Sequence, residues 1–135
     1  MESQLVNFKQ AVALKELGFP QDISQSTSYG EYDENGDFWG LDQYYGEISY
    51  AAPTLELVAK WLREEKNIWV NIWADSEDNE HNKHNIIFYE QVCYGKDNKI
   101  ISNKGTFVHL TYEQALSAGI DKAIEMLNLS SKFTH

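Results

Sequence analysis

The residues best suited to chemistry lie in one stretch, Ser28–Ala51, where aromatic rings alternate with carboxylates. Between Lys15 and Lys60 the chain holds nine Asp and Glu residues and neither Lys nor Arg. Aromatic faces beside carboxylates suit cations, basic peptides or sugars, and the alternative is ordinary half-buried strand positions. The candidate binding residues are, in chain order, Tyr29, Tyr32, Asp33, Asp37, Trp39, Tyr44 and Tyr45, joined by Trp69 and Trp73 farther along.

The two tryptophans belong to a segment that alternates in the manner of a β-strand. From Ile68 to Ala74 apolar residues occupy every second position, which puts Trp69, Asn71 and Trp73 together on the other face. Such a face can line a second buried layer, a dimer contact or a ligand groove. Because paired exposed tryptophans usually mark an interface, burial or a homodimer contact is favoured.

Metal-ligating residues give weaker signals. His81 and His84 have a spacing that can share a metal ion, but no third ligand stands at a distinctive distance, so no metal site is predicted. The segment Asp33–Asp37 fails as an EF-hand loop because Phe38 and Tyr44 occupy the positions where glycine and a bidentate glutamate are required.

For nucleophilic catalysis, Cys93 could serve as the nucleophile and His109 as the base. Nothing in the sequence indicates that the two residues lie close together. A lone strand cysteine is usually a small buried hydrophobe. The chain also lacks the motifs of phosphate-binding loops, zinc proteases and α/β-hydrolases. We therefore expect no catalytic residues and no cofactor.

Length and composition set the class of protein. The 135 residues predict a single domain, residues 1–135, with residues 130–135 as a flexible tail. One cysteine excludes an internal disulfide, and no signal peptide or membrane span is visible, which predicts a cytoplasmic protein. The net charge of −10 argues against direct nucleic-acid binding, because neutralising phosphates needs clustered Lys and Arg.

Three helices are predicted from apolar residues that recur three and four positions apart. Their expected bounds are Ser3 or Glu2 to Leu17, then Leu55 to Lys66 between an N-cap at Thr54 and a closing Asn67, then a cap at Thr111 to about Leu127. Gly18 stands where a glycine commonly ends a helix, and Gln114 completes a possible capping box with Thr111.

Strands are predicted between turn signals along the rest of the chain. They are Tyr29–Asp33, Asp37–Gly40, Glu47–Ala51, Ile68–Ala74, Ile86–Tyr94, Lys99–Ser102 and the strand-like Thr106–Leu110. Asn35 and Gly36 predict a type I′ hairpin turn, which needs positive φ at both residues. The order of elements predicts an α+β fold, a mostly antiparallel sheet of four to six strands with about three helices packed on it in two layers.

Four segments carry a resemblance to a known family. They are Ala13 to Phe19 (ALKELGF), Ala52 to Thr54 (APT), Trp61 to Ile68 (WLREEKNI) and Thr111 to Leu116 (TYEQAL). In these segments the chain resembles a family of small uncharacterised proteins of Bacteroidetes bacteria and their phages. The resemblance implies a cytoplasmic accessory protein of bacterial or phage origin, and no catalytic residue is carried over from it.

The function expected from the residues is binding without catalysis. The acidic aromatic stretch, residues 28–50, would contact a protein with a basic surface or a small cationic ligand. One alternative is a phage-type protein that sequesters a small ligand, or a small enzyme, with an enclosed pocket. Another is an acidic mimic of DNA, which needs carboxylates spaced like phosphates along one face.

Overall fold

A computed structural model describes residues 4–21, 30–40, 46–78, 84–96, 99–104 and 108–132. This part of the chain holds three helices and two three-stranded antiparallel sheets, which confirms the α+β class. The expected single sheet is divided in two, with strand orders β2-β1-β3 and β4-β5-β6. The elements are α1 (Phe8–Glu16), β1 (Glu31–Asp33), β2 (Phe38–Trp39), β3 (Ser49–Ala51), α2 (Leu55–Lys66), β4 (Ile68–Asp78), β5 (His84–Lys96), β6 (Lys99–Lys104) and α3 (Tyr112–Lys132).

The chain divides into two compact units, residues 1–61 and 62–135, and each is described by itself. The boundary falls within α2, so that helix contributes residues to both units. Buried apolar side chains form the core of each unit. In the first unit they include Val6, Ala11, Leu14, Leu55 and Val58, and in the second Ile68, Val92, Leu116, Ile120 and Ala123.

Helix α1 begins at Phe8, so the predicted start at Ser3 or Glu2 is wrong. Asn7 is the N-cap, and its side chain and that of Gln10 each accept a hydrogen bond from the other residue's backbone N–H. This reciprocal capping box satisfies two amide groups that a helix end leaves without partners. The residues before it are extended instead: Val6 N–H donates to the Pro53 carbonyl oxygen, and Leu55 N–H donates to that of Gln4.

The end of α1 agrees with the prediction. Gly18 has a φ of +94°, the left-handed conformation that glycine adopts without steric cost. Gly18 N–H donates to the Lys15 carbonyl oxygen, and Phe19 N–H donates to that of Leu14. These two bonds make a Schellman motif, which ends the helix, and the buried Phe19 side chain that follows packs against the Trp61 ring.

Helix α2 has the predicted bounds. The Thr54 hydroxyl accepts a hydrogen bond from Leu57 N–H at 3.2 Å, which confirms the N-cap. Asn67 has a φ of +55° and turns the chain directly into β4, as expected of a residue that tolerates the left-handed region.

The second unit is a two-layer arrangement in which α3 packs on β4 and β5. Strands β4 and β5 pair in one unbroken register, from Ile68 opposite Tyr94 to Asp78 opposite His84, so β4 continues four residues beyond its predicted end at Ala74. A side chain at Gly119 of α3 would lie 2.5 Å from Val70 of β4, so the helix approaches the sheet at a distance that only glycine permits.

The start of α3 was predicted correctly, and its end lies later than expected. The Thr111 hydroxyl accepts a hydrogen bond from Gln114 N–H, and the Gln114 side chain reaches the N–H of Leu110 rather than that of Thr111. The helix continues to Lys132, because no glycine or proline follows Leu127 to end it.

Candidate binding surfaces

The hairpin Glu31–Trp39 lies within the acidic aromatic stretch, residues 28–50, and the structure describes it in full. Asp33 N–H donates to the Asp37 carbonyl oxygen, and Gly36 N–H donates to that of Asp33. Gly36 has a φ of +88°, whereas Asn35 is not among the residues with positive φ. The hairpin is therefore confirmed and the type I′ turn is wrong. The hairpin instead has a three-residue loop, Glu34 to Gly36. It is a type I turn followed by a β-bulge at Gly36.

The Asp33 carboxylate holds this turn together. Its Oδ1 accepts hydrogen bonds from the backbone N–H groups of Asn35 and Asp37, each at 2.9 Å. Its Oδ2 accepts one from the indole Nε1–H of Trp39 at 3.1 Å. The indole and backbone donors stabilise the ionised form, which lowers the pKa of Asp33 below its usual value. Asp33 thus positions Trp39, and its charge is used inside the hairpin.

The inner side of the hairpin is fixed by aromatic contacts. The Tyr32 hydroxyl donates to the Val6 carbonyl oxygen at 2.8 Å, and its ring meets those of Phe8 and Phe38. Burial raises the pKa of Tyr32. The ring of Tyr50 also meets Phe8 edge-on. Tyr32 is therefore an anchor of the first unit, as the interpretation of half-buried strand residues expected.

The outer side of the hairpin, the face that Tyr32 and Phe38 do not share, carries a ring and a carboxylate, Trp39 and Asp37. Phe38 is 49 % exposed and Trp39 is 36 % exposed, while Glu34 and Asp37 are exposed beside them in sequence. Of the candidate binding residues, the hairpin brings together Tyr32, Asp33, Asp37 and Trp39. The other three in this stretch, Tyr29, Tyr44 and Tyr45, lie outside the described residues.

The second unit contains the tryptophan face. Trp69 and Trp73 are 48 % and 53 % exposed, which confirms the predicted alternation and shows that this face is not a second buried layer. The Arg63 guanidinium carbon lies 5.4 Å from the centre of the Trp69 ring, a cation–π contact. Arg63 is the only arginine of the chain.

A groove of about 360 Å³ lies beside Trp69. Its lining residues are Asn67, Trp69, Asn71, Cys93 and Gly95. The Asn71 amide donates weakly to the Cys93 sulfur at 3.9 Å, and the Asn67 amide donates to the Gly95 carbonyl oxygen. The groove is half open and mostly apolar, so a flat apolar group can lie in it without being enclosed.

The imagined pairing of Cys93 with His109 is excluded by the sheet. Cys93 lies opposite Trp69 and so shares the tryptophan face. His109 lies against the other face, where its Nε2 is 2.6 Å from the Glu90 carboxylate. Successive strand residues point to opposite faces, so the odd-numbered Cys93 and the even-numbered Glu90 are separated by the β5 backbone.

Sequence reasoning missed a buried charged cluster around Glu90. The Glu90 side chain is 5 % exposed, and Lys122 of α3 donates to its second oxygen at 3.4 Å. The cluster ties β5 to α3 and to the segment of His109, whose backbone exchanges two hydrogen bonds with Phe88. A signal was present: Glu90 stands in the same alternation as Phe88 and Val92, on the face that packs against the helix.

The described residues do not test whether the weak metal-ligand candidates, His81 and His84, bind a metal ion. His81 and the side chain of His84 lie outside them. Among the side chains that the structure describes, no group of three or more His, Cys, Asp or Glu residues is placed to hold a metal ion.

In comparisons with known proteins, no family model, no curated protein and no solved structure matches this chain. The resemblance to the family of Bacteroidetes and phage proteins therefore stays a prediction. In the described part of the chain, no helix is both long enough and apolar enough to cross a membrane.

Proposed function

We propose that this protein is a cytoplasmic, non-enzymatic binding module that recognises a basic protein surface or a small cationic ligand. The contact is the outer side of the hairpin Glu31–Trp39. The observation that supports it is the exposed Trp39 ring beside two exposed acids, Glu34 and Asp37, in a part of the sequence that has no lysine or arginine between Lys15 and Lys60.

Preorganisation favours this surface. Asp33 accepts three hydrogen bonds within the turn, and one of them fixes the Trp39 indole. Tyr32 is bonded to the Val6 carbonyl oxygen, which holds the base of the hairpin on the first unit. A surface that is already ordered loses little conformational entropy when a partner binds.

Charge favours a cationic partner. Glu34 and Asp37 offer carboxylates to lysine or arginine side chains, and Trp39 offers a ring face that attracts the same cations. The net charge of −10 attracts such a partner from a distance, which raises the association rate. Because exposed charges are screened by salt, binding is expected to weaken as ionic strength rises.

The test uses a labelled arginine-rich peptide as the probe and measures its affinity by fluorescence anisotropy. The double variant Glu34→Lys/Asp37→Lys is expected to bind about tenfold more weakly, because each lost ion pair is worth up to about 1 kcal/mol. The double variant Glu64→Lys/Glu65→Lys makes the same change of net charge at two exposed positions of α2. Equal weakening in both variants would show only a general charge effect and contradict the proposal.

A second candidate, the sequestering of a small ligand or a small enzymatic activity, is favoured by the groove beside Trp69. Its volume of about 360 Å³ lies near the lower end of ligand pockets. Ligand sites usually bury most of the ligand, whereas this groove is half open, so the hairpin supports the binding module better. The DNA-mimic alternative stays a prediction.

A further inference from the structure

Among the strands that the structure describes, β4 lies at the edge of its sheet. The direction of its backbone groups follows from one hydrogen bond. Gly95 N–H donates to the Asn67 carbonyl oxygen, so Asn67 and Gly95 form a hydrogen-bonded pair of the antiparallel ladder. Such pairs alternate along the ladder. The odd-numbered residues of β4 therefore bond to β5, and the even-numbered Ile68, Val70, Ile72 and Ala74 direct N–H and C=O groups away from it.

Those outward groups form an edge of unusual length and composition. Within the described residues β5 is the only strand paired with β4, and β4 is eleven residues long. The first seven, Ile68–Ala74, carry no charge, although the chain as a whole has a net charge of −10. Natural proteins usually protect a sheet edge with charges, proline or a bulge, because a bare edge pairs with another strand.

We propose that the outer edge of β4 pairs antiparallel with β4 of a second copy of this chain, about a two-fold axis at Asn71. This interface uses other residues than the hairpin surface and does not rest on the proposed function. It would join two three-stranded sheets into one sheet of six strands.

The register follows from the uncharged stretch, which is centred on Asn71. Val70 lies opposite Ile72 of the second copy, and their outward N–H and C=O groups form the hydrogen-bonded pairs. Trp69 lies opposite Trp73 of the second copy in pairs without backbone hydrogen bonds, where side chains approach most closely. Aromatic pairs across strands stabilise a sheet, and the two-fold axis makes this Trp69–Trp73 pair occur twice in the interface.

The positions of the acidic residues distinguish this register from longer overlaps. Shifting the axis to Trp73 would pair more residues, but it would place Glu77 opposite Trp69 of the other copy. With the axis at Asn71, the acidic end of β4, which begins at Asp75, lies near the end of α2 in the other copy. That end holds Arg63, Glu64, Glu65 and Lys66 and is neutral overall, so two acidic ends do not meet.

The first test is the formation of a disulfide across the two-fold axis. Cys93 is replaced by serine, so that each variant contains one cysteine, the introduced one, and any crosslink must form through it. Asn71→Cys lies opposite itself at a backbone distance that suits a disulfide. We expect it to form a covalent dimer under mild oxidation. Ala74→Cys is the matched control on the same exposed strand, and it is expected to stay monomeric because its two copies lie six residues apart. Crosslinking at Ala74, or at neither position, overturns the proposal.

The second test measures the monomer–dimer equilibrium of the unmodified chain by analytical ultracentrifugation. Ala74→Pro removes an outward N–H and is expected to weaken dimerisation at least about tenfold, while Ala74→Ser keeps that N–H and is expected to change it little. Added salt should strengthen the dimer by screening the repulsion of two acidic chains, opposite to its effect on the hairpin. A chain that is monomeric at all concentrations overturns the proposal.

Discussion

Asp33 and Glu90 are the two buried carboxylates among the described side chains, 7 % and 4 % exposed, and the two regions satisfy them differently. Asp33 accepts hydrogen bonds from groups within six residues of itself, two backbone N–H groups and one indole. Glu90 is contacted by His109 and Lys122, which follow it by 19 and 32 residues. One carboxylate organises a turn, and the other joins elements that are distant in sequence.

The difference has consequences for the two surfaces. A locally satisfied carboxylate makes the hairpin self-contained, so Trp39 and the acids of its outer side can face solvent without weakening a core. A carboxylate satisfied from a distance fixes α3 and the His109 segment on one face of the sheet. The opposite face carries Trp69, Asn71 and Trp73, and the first seven residues of β4 form an uncharged part of the edge.

The largest expected effect comes from removing both partners of Glu90. In the double variant His109→Ala/Lys122→Ala the carboxylate stays buried without a described partner, and breaking a buried charged cluster in this way costs about 3 kcal/mol or more. Denaturant unfolding followed by tryptophan fluorescence measures the loss. Replacing Glu90 by Leu in the same background should recover part of it, because the buried charge is then absent. A double variant as stable as the unmodified protein would show that Glu90 does not join these elements.

A smaller effect, dependent on pH, is expected at Asp33. Its pKa is lowered in the folded state from the ordinary value of 3.8, so its contribution to the free energy of unfolding is present above that pH and is lost as pH falls through the folded pKa. The variant Asp33→Asn should therefore be less stable than the unmodified protein between about pH 5 and 7, and the difference should shrink below about pH 4. Asp37→Asn removes an equal charge at an exposed position. If it gives the same pH dependence, the interpretation is wrong.

The smallest effect compares two glycines of the first unit. Gly36→Ala and Gly18→Ala both place a side chain at positive φ, +88° and +94°, which costs about 1–2 kcal/mol. The new Cβ at Gly36 would lie 3.1 Å from the Phe8 ring, whereas nothing lies within 4 Å at Gly18. Gly36→Ala is therefore expected to be the more destabilising of the two in the same denaturant measurement. The reverse order would mean that the turn is not packed on Phe8.

Much of the fold was predictable because its signals are local. Thr54 and Thr111 cap helices with their own hydroxyls, Gly18 and Asn67 end helices through their own backbone conformations, and the alternation from Ile68 onward requires only neighbouring residues. The start of α1 was misplaced because Gln4 and Val6 pair with Pro53 and its neighbours, nearly fifty residues away.

The candidate site was predictable only in part. The sequence placed Asp33, Asp37 and Trp39 in one hairpin, but it did not show that the Asp33 carboxylate holds Trp39 and the turn. Glu90 was overlooked, since its partners belong to elements whose positions against β5 no local pattern specifies.

By itself the sequence determined which segments become helices and strands, where caps and turns fall, and which face of β4 carries the tryptophans. These depend on hydrogen bonds and side-chain alternation within a few residues. Only the tertiary structure decided that the described strands form two sheets, that α3 lies on the face of Glu90, and that β4 is at an edge among those strands. Those outcomes depend on contacts between residues far apart in the chain, whose free energy no single segment contains.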